Sequence, residues 1–252
     1  MENLSDYFGK NIKDKRILIT GGTTGIGKAI ADLLVSLEAR VFIFGRDIED
    51  FTKAFDDIKS KHPNSQLHGF TADVTNKDDL KKVFEAVDKE LGGLDILINN
   101  AALPASGLTE IKLDDWQYIL DTNISGYLAF AQEAVTRMSP NQSGHIINIG
   151  SMSAETNEPT STVYVVTKAA IRGFSAALRK ELNPLGIKVS LIEPGAVTSD
   201  MQPGSKEEQQ QKIDKMEMLE AEDIAMSVLF TLSQPKRCDI VTMQVRPLMQ
   251  FI

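Results

Sequence analysis

The sequence predicts an α/β fold, a doubly wound parallel sheet in a single domain, and three observations carry that prediction. Apolar runs of strand length recur: ILI (17–19), VFIF (41–44), DILI (95–98), HIINI (145–149) and VSLI (189–192). They are rich in β-branched residues and nearly continuous, so both faces of each strand are expected to lie under helices. Helical periodicity fills the gaps: Ile26, Ile30, Leu33, Leu34 and Leu37 share one side, as do Phe51, Ala54, Phe55 and Ile58, and Leu80, Val83, Phe84, Val87 and Leu91. The two patterns alternate along most of the chain, which builds right-handed βαβ units.

The first strand runs directly into TGGTTGIG (20–27) and the helix KAIADLL. A glycine-rich turn from strand to helix aims backbone N–H groups at an anion. Gly21 permits the tight turn, Gly25 lets a pyrophosphate approach the backbone, and Gly27 lets the helix pack close to the sheet. The overlapping GTTGIGK (22–28) fits a phosphate-binding P-loop, but Ala29 follows where a hydroxyl should hold Mg²⁺. A nucleoside triphosphatase is therefore not expected. The second strand ends in FIFGRD (42–47). Gly45 stands where an acid would hold the ribose hydroxyls of NAD, and Arg46 follows, able to grip a 2′-phosphate through two parallel bonds. This points to NADP(H); NAD(H) is the alternative, with Asp47 as the ribose ligand.

QLHGF (66–70) is a weaker strand candidate. The helix after Thr160 should turn Val163, Ala170, Ile171, Phe174 and Leu178 to the sheet. SKEEQQQKIDKMEMLEAED (205–223) is polar and too long for an ordinary connection. It reads as part of a substrate lid over 198–223, or as a solvated helix on the rim. CDIVTMQVRPLMQFI, at the end, reads as a last strand and a tail. Residues 1–14 read as a loosely ordered extension, with the domain occupying 15–252. No apolar h-region or membrane-spanning run is present, so a cytoplasmic protein is expected.

The net charge of −8 argues against nucleic acid and anionic membranes as partners. Cys238 is the one cysteine, so no intrachain disulfide or cysteine-rich metal site is expected. His62, His68 and His145 show no metal-ligand spacing and read as structural or surface residues.

STVYVVTK (161–168) places Tyr164 and Lys168 on one helical face. Alone, such a pair reads as surface decoration. With the preceding motifs it resembles the short-chain dehydrogenase/reductase family, in its compact single-domain branch, from about Lys15 to about Met201. TGGTTGIG is similar to the family's TGxxxGxG, in which Thr23 and Ile26 join the three glycines as cofactor contacts. Asp73 and Val74 resemble its adenine-contacting pair. NNAA (99–102) resembles NNAG, with Asn100 and Ala101 near the cofactor and Ala102 in place of glycine. PGAVTSDM (194–201) resembles PGxxxTxM around the nicotinamide, bringing Pro194, Gly195, Val197 and Ser199, the last replacing threonine. Asn123 in LDTNISG, Ser151 in INIGS, Tyr164 and Lys168 match the catalytic set.

The resemblance implies a Rossmann fold and an NADP(H)-dependent oxidoreductase interconverting a carbonyl and an alcohol on a small molecule. Tyr164 is then the general acid or base, with its pKa lowered by the ammonium of Lys168 against the opposing effect of burial. Lys168 also binds the nicotinamide ribose, Ser151 holds the substrate oxygen, and Asn123 holds a water linking Lys168 to solvent. A homotetramer is implied by family likeness. The alternatives are an NAD(H)-linked dehydrogenase, a non-catalytic dinucleotide-binding regulator, and a sugar-nucleotide epimerase or dehydratase, which usually adds a substrate domain. The pocket is expected from residues 103–108, 152–162 and 201 to about 220, and the polar MSAETNEPTST favours a small polar substrate.

Overall fold

The computed structural model describes residues 11–199 and 204–250. Among them a single sheet contains seven parallel strands: β1 (Arg16–Thr20), β2 (Arg40–Gly45), β3 (Gln66–Thr71), β4 (Ile96–Asn99), β5 (Gly144–Ile149), β6 (Ile187–Pro194) and β7 (Thr242–Val245). Their order is β3-β2-β1-β4-β5-β6-β7. The chain therefore reverses direction of winding between β1 and β4, the position at which open α/β sheets bind their ligands.

The helices are α1 (Gly25–Ser36), α2 (Ile48–Lys61), α3 (Lys77–Leu91), α4 (Leu113–Leu120), α5 (Gly126–Met138), α6 (Ser153–Thr156), α7 (Thr162–Leu182), α8 (Lys206–Asp214) and α9 (Ala221–Leu232). Two apolar layers form because successive strand residues point to opposite faces. Ile17, Ile19 and Ile43 pack with Ile30 and Leu34 of α1 and Ile224 and Val228 of α9. Leu18, Phe42 and Phe44 pack on the other face with Phe84 of α3 and Phe130 of α5. Local chemistry sets the helix starts. Asp47 accepts from the N–H groups of Glu49 and Asp50, and Asn76 from those of Asp78 and Asp79, satisfying donors that have no partner within the helix. Gly92, with φ +77°, closes α3 in the left-handed conformation.

The helix α7 buries Val163 and Ile171 as expected, but Ala170 is only partly buried. Its buried residues include the polar Thr167, Lys168 and Ser175: Lys168 lines the cleft described below, Thr167 accepts from the Asn123 amide, and Ser175 accepts from the Asn148 amide. The histidines are structural: His145 is buried, bonds the Ser190 hydroxyl at 2.8 Å, and is driven down to a pKa of about 3 by burial. His62 pairs with Asp32, and His68 stands 3.6 Å from Glu90. No helix among the described residues is long and apolar enough to cross a membrane, and none of their His, Cys, Asp and Glu residues cluster in threes to hold a metal.

The expectation of a loose segment up to Lys15 is corrected for residues 11–14. Ile12 is fully buried within the α1–α9 layer, and the Asn11 amide donates to the Ser233 carbonyl at 2.9 Å. One isoleucine in a polar stretch has no periodicity to announce it, yet it fills a gap that the sheet and two helices leave. Residues 1–10 of the expected extension lie outside the described residues, as do 200–203 of the expected lid, Met201 included. Ile12→Ala should destabilise the fold by about 2–5 kcal/mol, the cost of a buried cavity. A denaturation midpoint within experimental error of the parent would show that residues 11–14 are not packed in solution.

Candidate active site

The glycine turn is built by close approach. Gly21 (φ +62°) and Gly25 (φ +46°) occupy backbone conformations that favour glycine. A Cβ on Gly27 would lie 2.1 Å from the Gly21 carbonyl oxygen and 2.5 Å from the Asn100 amide nitrogen. That amide donates to the carbonyls of Thr20 at 3.1 Å and Gly21 at 2.9 Å, while the Thr20 hydroxyl accepts from the backbone N–H groups of Asn100 and Ala101. The end of β4 thus braces the turn that follows β1. At the end of β2, a Cβ on Gly45 would meet the Thr23 hydroxyl at 2.3 Å. The space an acidic side chain would need there is filled by the glycine turn itself.

A cleft of about 400 Å³ opens above these strand ends. Gly21, Thr23, Gly25 and Ile26 form its floor; Arg46, Asp73 and Val74 form one end; Asn100 and Ala101 form the middle. At the other end stand Ser151, Tyr164, Lys168, Pro194, Gly195, Val197 and Ser199. The structure brings together nearly every residue singled out from the sequence. Two exceptions support the cleft from behind. Gly27 lies under the turn, and Asn123 sits in a π turn (Asp121–Ser125) between α4 and α5. The Asn123 amide oxygen accepts from Leu103 N–H at 2.8 Å, and its nitrogen donates to the Leu103 carbonyl at 2.9 Å and the Thr167 hydroxyl at 3.2 Å. The side chain thus clamps the loop after β4.

At the Arg46 end, sequence reading missed Tyr118. Arg46 donates to its hydroxyl at 2.9 Å, and the guanidinium stands 5.5 Å from its ring centre. The Tyr118 hydroxyl in turn donates to Asp73 at 2.5 Å. Burial works to raise the Asp73 pKa, but hydrogen bonds from Tyr118 and Thr75, with the Arg46 charge, hold it below the ordinary carboxylate value. Asp47, the alternative ribose ligand, is occupied as the cap of α2.

At the other end, Lys168 donates to the Ile149 carbonyl at 3.1 Å, an oxygen that also accepts from the buried Tyr127 hydroxyl at 3.0 Å. Its ammonium stands 5.4 Å from the centre of the Tyr164 ring. Burial pushes Lys168 down to a pKa of about 8. Burial likewise pushes Tyr164 up to about 12, the Ser151 hydroxyl working against that and the Glu158 charge adding to it. The expected lowering of the phenol by the lysine is therefore corrected for the protein alone. The ammonium stands over the ring, and removal from water is the largest influence on both groups.

A second cavity of about 480 Å³ meets the cleft at Ser151, Tyr164, Pro194 and Gly195. Residues 104–106 and 152–161 contribute to it as expected. The segment 204–220 does not; Gln250 of the tail takes its place, accepting from Ala196 N–H at 3.0 Å. The segment is held elsewhere: Leu219 bridges to Val197, and the Gln209 side chain bonds both the N–H and the carbonyl of Ser199. The rim-helix reading describes α8, which starts with a Ser205–Glu208 capping box and buries no residue.

A glycine turn at the winding reversal, with a Ser-Tyr-Lys corner at its far end, defines a dinucleotide-dependent oxidoreductase. A sequence model described as short chain dehydrogenase matches residues 15–210, and the chain belongs to that family, the short-chain dehydrogenases/reductases. It is 35% identical over 237 residues to an uncharacterized oxidoreductase of Staphylococcus aureus, covering 94% of this chain and 98% of that one. A short chain dehydrogenase of Burkholderia cenocepacia, solved with NADP, superposes with a TM-score of 0.81 at 27% identity, covering 94% of this chain and 98% of that one. A variant of the actinorhodin polyketide ketoreductase, solved with NADPH, gives 0.83 at 25% identity over the same shares.

Because the folded-state pKa of Lys168 lies below its usual 10.5, the charge opposes folding in full at pH 7, and that opposition fades as pH rises from about 8 to 10.5. Lys168→Met should abolish turnover yet raise Tm at pH 7 by several degrees, at about 2–4 °C per kcal/mol. The gain should shrink toward pH 10.5. A lower Tm at pH 7, or a gap that does not change with pH, would contradict the assigned strain.

Proposed function

We propose that the protein is an NADP(H)-dependent oxidoreductase that interconverts a carbonyl and an alcohol, with Tyr164 as general acid and base. The observation that carries this reading is the convergence of Ser151, Tyr164 and Lys168 where the cleft and the second cavity meet. The cleft fits a dinucleotide on its own chemistry: positive-φ glycines that leave the backbone bare, an α1 N-terminus, and a guanidinium at the end where the adenosine ribose belongs. NADP(H) is favoured over NAD(H) by three features. Gly45 has no room for an acid, Asp47 is engaged as a helix cap, and Arg46 is held at the cleft edge by Tyr118. The NADP and NADPH in the two solved relatives agree with this choice.

When bound, the dinucleotide supplies or accepts the hydride. In reduction, the Ser151 hydroxyl orients the substrate carbonyl, and the Tyr164 hydroxyl gives its proton to the carbonyl oxygen as charge develops there. A phenol raised to about 12 keeps that proton at neutral pH, which suits reduction; oxidation needs the phenolate and gains with rising pH. Lys168, with one carbonyl as acceptor, has donors left for the ribose hydroxyls. Asn123 acts as a positioning residue by fixing Leu103 beside the cleft.

Tyr164→Phe should lower kcat by about 10²–10⁴-fold with NADPH affinity nearly unchanged, measured by NADPH oxidation over a carbonyl panel and by fluorescence titration. Parent-like turnover would sink the catalytic assignment. Arg46→Ala should weaken NADPH binding about tenfold or more, the loss of charged hydrogen bonds, and leave NADH binding nearly unchanged. Equal losses for both cofactors would remove the role given to the guanidinium.

A further inference from the structure

The second cavity holds a group that neither the catalytic set nor the cofactor cleft uses. Glu158 lines it, in the loop between α6 and α7, close enough to Tyr164 for its charge to oppose the phenolate. One oxygen, Oε1, accepts from the Thr156 hydroxyl. The other, Oε2, is shielded from solvent and has no hydrogen-bond partner. A shielded acceptor without a partner is unfavourable, more so when charged, so the position calls for a donor that the chain does not supply. Among the described residues that line the cavity, Glu158 is the one with a charged side chain; none is Lys or Arg. The remaining polar lining is neutral: the hydroxyls of Ser106, Ser153 and Ser161 and the amide of Gln250.

We infer that the cavity takes a small polar substrate whose carbonyl or alcohol lies close to an ammonium group, with the ammonium received by Glu158. This rests on the oxidoreductase reading and adds the substrate class to it. The reacting oxygen sits at Ser151 and Tyr164, at the mouth shared with the cleft, and the cation lies beside Glu158 in the second cavity, where a rotation of the carboxylate presents Oε2 to it. The serine hydroxyls and Gln250 suit a substrate with further polar groups and disfavour a long apolar chain. Burial does most to hold the Tyr164 proton and the Glu158 charge adds to it, so a cation seated on Glu158 removes that addition and eases proton transfer at the other end of the substrate.

The test is calorimetric titration of the NADP(H)-loaded enzyme with 1-amino-2-propanol and with 1,2-propanediol, which differ in an ammonium against a hydroxyl. The parent should bind the amine about tenfold or more tightly, the scale of a charged hydrogen bond. Glu158→Gln should erase that difference while NADPH affinity stays at the parent value, which also verifies folding. Equal affinity in the parent, no detectable binding of the amine, or a preference that Glu158→Gln retains would each overturn the inference. Turnover of a carbonyl panel, run in parallel, separates the two readings. Turnover without amine preference defeats this inference alone, and amine preference without turnover defeats the oxidoreductase reading alone.

Discussion

There is no room for a single methyl group between the start of α1 and the turn that leaves β1. The hydrogen of Gly27 faces the Gly21 carbonyl and the Asn100 amide at a separation that a Cβ could not occupy. That contact sets the height of α1 above the sheet and hence the direction of its N-terminus. It also ties β4 to β1 through Asn100, at the place where the winding reverses. The cleft follows from it. Its floor is bare backbone at Gly21 and Gly25, whose positive φ favours glycine, and its walls are the ends of the strands.

The far end of the cleft obeys an opposite logic. The turn is satisfied by tight packing, whereas the Tyr164–Lys168 corner is left under electrostatic tension. A buried ammonium shares one carbonyl with a buried phenol, and a second phenol is pushed far from neutrality. At neutral pH the buried ammonium opposes folding, while both phenols stay neutral. Perturbed groups of this kind gather at functional sites, and here they line the cleft.

The fold was legible because a buried parallel sheet imposes a simple pattern: continuous β-branched runs, each followed by an amphipathic helix. HIINI and VSLI could serve no other purpose in a chain with no membrane-spanning helix among its described residues. Most of the site was legible for a related reason, since strand ends carry both the core pattern and the motif. What stayed hidden depended on contacts between segments distant in sequence. Tyr118 reaches Arg46 across 72 positions. Gln250 enters the second cavity from the tail. Ile12 fills a gap defined by two helices that start later in the chain. The sign of the Tyr164 shift was hidden too, because spacing reveals that two groups are neighbours but not how dry they are. The Asn123 side chain bonds the backbone of Leu103, a partner that no motif encodes.

Ser151 is anchored on the end of β5 and Tyr164 in the first turn of α7, and the residues between them form two short helical turns joined by Asn157, whose φ is +55°. The intervening loop therefore resembles an arch sprung from two fixed piers. Its crown carries Glu158, while Met152 at its base is buried and donates its N–H to the Pro194 carbonyl at 2.8 Å. A change of charge at Glu158 therefore reaches the second cavity and the acidity of the phenol at once.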